Sequence, residues 1–321
     1  MLGEYIKDRF ILQSYFNAVR LCTTIRQKGA FSVTHGQLIR KLRKERGLTQ
    51  AQLADGISSR TTLSTLENNK TDVNINTLFN YLERLNVSIQ EYMFYFNDSS
   101  NTEKELATKY FYDNIVKKRD IEIEQRILDY QSKYRDSMDF YYCCLSIELK
   151  LFLNKKKNSP IFDVKEDTEI IKRYLEHVTQ WGHFEMSIFA SCLYIFSSEY
   201  IRATFTILLK RTKILSKIDT YQNDISIFLN NCIVLALERK NYQNARFYIQ
   251  QLYQISEKTP RKVYDRMMCK YYLALLQQIN GAGEGAESTI KQFKELGFAD
   301  HAEMLENLQN RLLSQVKQSI A

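Results

Sequence analysis

Apolar residues along this chain recur every three to four positions, in segment after segment. Leu38, Ile39 and Leu42 share one helical face, as do Leu63 and Leu66, and then Leu78, Leu82 and Leu85. From residue 102 onward, amphipathic segments of about 14–20 residues recur at intervals of roughly 35–40 residues. They predict helices at 102–117, 120–134, 137–154, 164–180, 183–196, 198–217, 222–239, 242–257, 261–280, 283–296 and 299–318. Only two prolines and ten glycines punctuate the 321 residues, and no glycine lies between Gly56 and Gly182. That scarcity of turn residues predicts an all-α fold, helix following helix through short polar connections.

Local chemistry sharpens the first part of the chain. Gly47 ends the helix carrying Leu38 and Leu42 at a C-cap position, and Thr49 has the N-cap chemistry to start another. Gln52, three residues on, completes a capping box. That helix is short, Gln50 to Asp55, and turns at Gly56; Ser58 or Ser59 then caps a third, Arg60 to Asn68. A fourth follows from Ile75. Two short helices joined by a tight glycine-containing turn, within a bundle of four or five, make a helix-turn-helix. This domain spans residues 35–97. The polar run Asn97-Asp98-Ser99-Ser100-Asn101 marks its boundary with a second domain, 102–321. Residues 1–34 are an N-terminal extension, in which Ile6, Phe10, Ile11, Phe16 and Val19 give one apolar face, and no function is assigned to it.

The stretch R-x-x-R-G-L-T-Q (Arg43 to Gln50), the pair Leu53-Ala54 and L-S-x-L-E-N (Leu63 to Asn68) resemble the phage-repressor (XRE) class of DNA-binding domains. Thr49 and Glu67 stand one residue closer than the commonest spacing in that class, which shortens the turn. The resemblance implies that Gln50, at a helix N-terminus, helps to hold a phosphate. It implies that Arg60, Thr61, Ser64 and Thr65 read major-groove edges, while Asn68 and Lys70 bind backbone phosphates. The alternative for Arg60 and Lys70 is a solvated basic face. Arg43 and Glu67 correspond to a buried ion pair.

Beyond the boundary, Leu229 to Gln251 has the small and apolar frame of a tetratricopeptide repeat. Its turn, Asn241-Tyr242-Gln243-Asn244-Ala245, resembles the G-x-Y-x-x-A signature with Lys240 in place of glycine. Tyr271 to Phe293 repeats the pattern through Gly281 and Ala286, and Ser191 to Lys210 more weakly through Tyr200 and Ala203. The second domain therefore reads as a helical-hairpin solenoid. A basic helix-turn-helix on such a solenoid, with W-G-x-F-E (Trp181 to Glu185), IFASCLYIF (Ile188 to Phe196) and IFLNNCIVLA (Ile227 to Ala236), resembles the Rgg (MutR-type) regulators over about residues 33–321. These belong to the wider group of Gram-positive cytosolic receptors for short signalling peptides. The resemblance implies a homodimer formed through the repeats and a linear peptide on the concave face. Registering the repeats on Ala203, Ala245 and Ala286 places Glu185, Ile188 and Cys192, then Ile227, Asn230 and Val234, then Met268, Tyr271 and Leu275 along that groove. Asn230 is the leading candidate, because a side-chain amide can satisfy both N–H and C=O of an extended peptide. Its alternative is an inter-helix hydrogen bond, a role that Asn231 beside it takes in this reading. Ala190-Ser191-Cys192 stands where many relatives carry an amide, which points to a more apolar peptide or to altered ligand binding.

Charge follows the same division. The chain holds 45 Lys and Arg against 37 Asp and Glu, but residues 1–71 alone hold twelve against five. A basic head on a near-neutral body fits a DNA footprint joined to a module that selects a ligand by shape. No apolar run approaches the roughly 18–20 residues of a membrane span, and the mixed first thirty residues do not read as a signal peptide. Six cysteines without C-x-x-C spacing read as core residues in a reducing compartment, and four histidines show no metal spacing. No nucleophile elbow, P-loop, G-x-G-x-x-G or H-E-x-x-H occurs, so neither an enzyme, a metal nor a cofactor is expected. The sequence thus describes a cytoplasmic, dimeric regulator that binds a pseudo-palindromic double-stranded DNA operator and senses a short signalling peptide. The peptide would reposition the two heads or their contacts with RNA polymerase. Two rival readings keep the head: a DNA-tethered protein-interaction scaffold, and a constitutive regulator without a peptide.

Overall fold

The computed structural model describes residues 34–96, 103–104, 106–107, 119–157, 159–211, 219–257, 260–281 and 285–320. The extension before Thr34, the break at 97–101 and nearly all of the helix expected at 102–117 lie outside these residues. The described chain is helical throughout, with no strand, and divides into two compact units, one running to residue 107 and the other from residue 119.

The first unit holds α1 (His35–Glu45), α2 (Gln50–Ala54), α3 (Arg60–Glu67), α4 (Ile75–Leu85) and α5 (Ile89–Phe96). Its caps are those the sequence chemistry calls for. Thr34 and Thr49 each form a capping box, with Gln37 and Gln52, and Ser59 caps α3 by accepting from the Thr62 N–H. Ser58 instead bonds the Tyr81 hydroxyl at 2.6 Å. Gly47 takes the left-handed conformation that ends α1, with Leu48 N–H donating back to the Arg43 carbonyl. Leu38, Ile39, Leu42, Leu53, Leu63, Leu66, Leu78, Leu82 and Leu85 converge in one core with Tyr81 and Tyr92.

The second unit runs through α6 (Asp120–Ser137), α7 (Phe140–Lys157), α8 (Lys165–His177), α9 (His183–Ser191), α10 (Ser198–Arg211), α11 (Asp219–Glu238), α12 (Tyr242–Ser256), α13 (Val263–Ile279), α14 (Glu287–Glu295) and α15 (Ala299–Ile320). Two expected helices are shorter than their apolar pattern. The Trp181 indole N–H donates to the Leu175 carbonyl at 3.0 Å, folding the chain back where α8 was expected to continue. The segment after α9 tightens to a single 3-10 turn, Leu193–Ile195. One continuous core extends from Cys143 to Leu312.

Polar bonds between successive hairpins give the repeat its pitch. His183 meets Asp224, Ser226 meets Asp265, Tyr272 meets Asn230, Arg202 meets Asn244, and Arg239 meets the Phe196 carbonyl. Their sequence separations are 41, 39, 42, 42 and 43 residues. Ala245 and Ala286, two of the alanines on which the repeats are registered, are fully buried. Ala203 is exposed, and Ile201, Phe205 and Leu208 make the core face of α10 instead. The alanine register therefore fails in that hairpin.

Lys240 occupies the glycine place of the repeat signature with φ +55°, a left-handed conformation that costs an L-residue about 1–2 kcal/mol. Lys240→Gly should therefore raise the stability of the repeat unit by up to about 1 kcal/mol, part of the relief being offset by glycine's greater unfolded-chain entropy. Urea unfolding followed by circular dichroism measures it; an unchanged or lowered midpoint would contradict the strain argument.

Candidate functional site

In the first unit, α2, the turn through Gly56 (φ +67°) and α3 form the helix-turn-helix. What fixes α3 is partly backbone against backbone. A Cβ on Gly36 of α1 would lie 1.9 Å from the Leu66 carbonyl oxygen, so only glycine lets the two helices approach this closely. The rest is a buried ion pair. Arg43 Nε and Nη2 donate to Glu67 Oε1 and Oε2 at 2.6 and 2.7 Å, and Nη1 donates to the Leu48 carbonyl at 2.6 Å. This is the bidentate geometry in which guanidinium and carboxylate match best. Burial pushes the Glu67 carboxyl up, but the bonds from Arg43 and Gln50 prevail and hold it below the usual carboxylate value.

The residues expected to meet DNA divide by how much freedom they retain. Arg60, Thr61, Asn68 and Lys70 are exposed, while Ser64 and Thr65 are half-buried on the same face of α3. The Thr65 hydroxyl donates to the Thr61 carbonyl at 2.8 Å, so toward a base edge it is left as an acceptor. Gln50 is half-buried, and its Nε2 donates to Glu67 Oε2 at 2.9 Å. That bond orients the amide at the start of α2 and leaves its second N–H for another acceptor.

Not every arginine in this unit serves a phosphate. Arg46 donates to the carbonyls of Leu85 and Leu42, and Arg84 to those of Asp55, Gln52 and Leu53 at the end of α2. These carbonyl-clamping roles were not legible in the sequence, because nothing local distinguishes such an arginine from a solvated one. Among the described residues of the unit, Arg40, Lys41, Lys44, Arg60, Lys70 and Lys104 are exposed cations outside those bonds.

The groove expected in the repeat unit needs correction. Seven of its nine residues, Ile188, Cys192, Asn230, Val234, Met268, Tyr271 and Leu275, are buried at 2 % exposure or less; only Glu185 and Ile227 keep partial exposure. The reason is packing. From Asp224 to Leu237, α11 is buried on almost every face, and Met268, Tyr271 and Leu275 form the core seam of α13. Asn230 takes its alternative role: Nδ2 donates to the Ser226 carbonyl at 2.8 Å and Oδ1 accepts from the Tyr272 hydroxyl at 3.0 Å. Asn231 is buried too. Among the described residues no group of three or more His, Cys, Asp or Glu is arranged to hold a metal ion. No described helix is long and apolar enough to cross a membrane.

Comparison with known proteins follows this geometry. Residues 39–92 match the helix-turn-helix family profile, and residues 124–307 match the profile of the HTH-type transcriptional regulator Rgg, C-terminal domain. Among solved structures, a Listeria monocytogenes EGD-e protein described as a transcriptional regulator superposes with a TM-score of 0.77 at 20% identity, covering 89% of this chain and 99% of that one. The Streptococcus dysgalactiae SHP pheromone receptor Rgg2 gives 0.66 at 16% identity, covering 86% and 99%. The PrgX/iCF10 complex gives 0.66 at 17%, covering 90% and 98%. At these identities the likeness establishes the fold.

The ion pair generates a stability prediction. Arg43→Ala leaves the Glu67 charge buried and unpaired and should cost about 3–5 kcal/mol. The folded Glu67 value lies below its unfolded one, so this contribution is present above the unfolded carboxylate pKa of about 4.3 and is lost as pH falls through the folded value. An Arg43→Met, Glu67→Leu double variant should flatten that acid slope. Denaturant midpoints across pH test both; an acid slope equal to wild type in the double variant would place the titrating group elsewhere.

Proposed function

For a chain that belongs to the Rgg family of helix-turn-helix transcriptional regulators, we propose that α3 reads a DNA operator while the repeat unit senses a short peptide. The observation that carries the first half is the exposed face of α3, with Arg60, Thr61, Ser64 and Thr65 presented by a helix that the Gly36 contact and the Arg43–Glu67 pair hold in place. Thr65, with its proton committed to Thr61, would accept from the amino groups of adenine or cytosine. Arg60 would donate to guanine. Gln50, Asn68 and Lys70, together with Arg40 and Lys44, would bind phosphates and set the register.

The chain acts in this reading as a cytoplasmic homodimer, placing two α3 helices in successive major grooves of a pseudo-palindromic site. Support for the peptide comes from the likeness of the chain to a protein whose own name records a pheromone receptor. Of the groove expected from sequence, Glu185 and Ile227 remain accessible to such a ligand. A peptide shifts the regulator only by its difference in affinity for the two states of the dimer, whether the output is head spacing or contact with RNA polymerase.

Two measurements test this. Arg60→Ala with Thr65→Ala should abolish preference for the operator over random DNA, each lost base contact costing about 1–3 kcal/mol, without lowering the unfolding temperature. Gln50→Ala should weaken binding to all sequences alike. Retention of sequence preference by the double variant would show that another face reads the bases. For the second half, thermal shift against short apolar peptides, including those encoded beside its own gene, should raise the midpoint as RT ln(1 + [L]/Kd). No response to any of them would favour the scaffold or constitutive regulator.

A further inference from the structure

Three helices of the repeat unit, α11, α13 and α15, are bonded in a row. Asp265 and Tyr272 of α13 reach α11, at Ser226 (2.8 Å) and Asn230 (3.0 Å). Tyr271, the neighbouring residue, instead donates its hydroxyl to the Leu305 carbonyl of α15 at 2.7 Å. Consecutive residues of a helix point about 100° apart. Seen from α13, then, α11 and α15 stand at roughly a right angle and not on opposite sides, so the row is sharply bent. Met268, one turn before Tyr272, and Leu275, one turn after Tyr271, point into the arc between the two directions. Both are fully buried. This arc is the inner, concave side of the bend.

One ion pair crosses it. Arg311 Nη2 on α15 donates to Oε1 of Glu238, the last residue of α11, at 2.8 Å. Packed helices lie about 8–10 Å apart, so a flat row would hold α11 and α15 about 16–20 Å apart, beyond the joint reach of a Glu and an Arg. With the bend the two axes come within about 12–15 Å, and the side chains can meet on the inner side alone. The pair is largely shielded, at 15 % and 16 % side-chain exposure. A desolvated pair of this kind gives little net stability, because the lost hydration offsets most of the attraction. Glu238 is also poorly placed within it, since a carboxylate at a helix C-terminus faces the negative end of the dipole. Along α11, Ile227, Val234 and Glu238 share one stripe, seven and then four residues apart. Ile227 is half-buried at one end, Val234 is buried, and the ion pair stands at the other end.

We propose that the Glu238–Arg311 pair is a latch that holds the inner face of the repeat unit shut, and that the signalling peptide opens it by presenting its C-terminal carboxylate to Arg311 in place of Glu238. The proposal rests on the peptide-sensing reading of the repeat unit and adds the group by which the peptide is received. The exchange conserves charge: one carboxylate replaces another on the same guanidinium, and Glu238 returns to water. Arg311 can take the incoming group in the bidentate geometry that a guanidinium matches best. From Ile227 to Glu238 the stripe runs about 16 Å, the length of about five residues of extended chain. Parting α11 from α15 gives the peptide's apolar side chains Val234, Met268 and Leu275 to pack against. It also relaxes the bend of the row, so occupancy is converted into a change of curvature.

The test uses the full chain. A binder is selected from a randomised library of short synthetic peptides with free carboxyl termini and remade as its C-terminal amide. Wild type should bind the acid about tenfold or more tightly than the amide. Glu238→Ala releases the latch but keeps the cation, so it should bind both forms more tightly than wild type and retain the preference. Arg311→Met should bind the amide more tightly than wild type and show no preference for the acid. Without peptide, hydrogen exchange of the α15 amides should quicken in both variants. The double variant Glu238→Arg, Arg311→Glu rebuilds the pair in reverse and should restore wild-type protection, which keeps the latch testable should a single variant fail to fold. Equal affinity of wild type for acid and amide overturns the proposal, as does weaker or unchanged peptide binding by folded Glu238→Ala, or unrestored protection in the double variant. Each of these leaves the peptide reading standing. Binding of no peptide by wild type or variant overturns both.

Discussion

A polar group inside a protein must be met by a partner, and in the repeat unit that partner is supplied from one hairpin away. Asp265 is buried and held by Ser226 at 2.8 Å, and Asp224 is met by His183. Each bond can form only when successive hairpins are in the correct register, because a slipped helix would bury a carboxyl with nothing to meet it. The apolar core tolerates many sliding arrangements of similar area, whereas these bonds tolerate one. Their spacing of about forty residues is thus the repeat itself, expressed as hydrogen bonds.

The same logic in the other unit uses one carboxylate for several purposes. Glu67, the last residue of α3, neutralises Arg43 and orients Gln50 through the same carboxylate. Arginines assigned to carbonyls, Arg46 and Arg84, hold α1, α2 and α4 together without opposing charge. The net positive charge of the head consequently overstates its phosphate footprint. From α1 to the turn after α3, the cations that stay exposed outside those bonds are Arg40, Lys41, Lys44, Arg60 and Lys70.

Helix positions and caps were legible because they depend on neighbours in sequence: Thr49 with Gln52, Gly47 after α1, leucines at helical spacing. The ion pair was legible only through resemblance, since Arg43 and Glu67 lie 24 residues apart. The groove was largely not legible. Choosing apolar positions on the first helix of each hairpin selects the residues that pack the core, and Met268, Tyr271 and Leu275 are there. Asn230 looked like a ligand-binding amide because sequence shows its donors and acceptors but not Tyr272, 42 positions away, which occupies one of them.

Gly36 has a consequence for how such a head can be controlled. At Gly36, α1 and the end of α3 touch through backbone, so at that point no side chain can adjust. That contact, with the Arg43–Glu67 pair, fixes the end of α3 against α1. On the proposed function, control reaching this head acts on how often it docks, or on its separation from a second copy, rather than on the shape of α3. In that reading a signal would alter timing and placement, leaving the set of addressed sites constant.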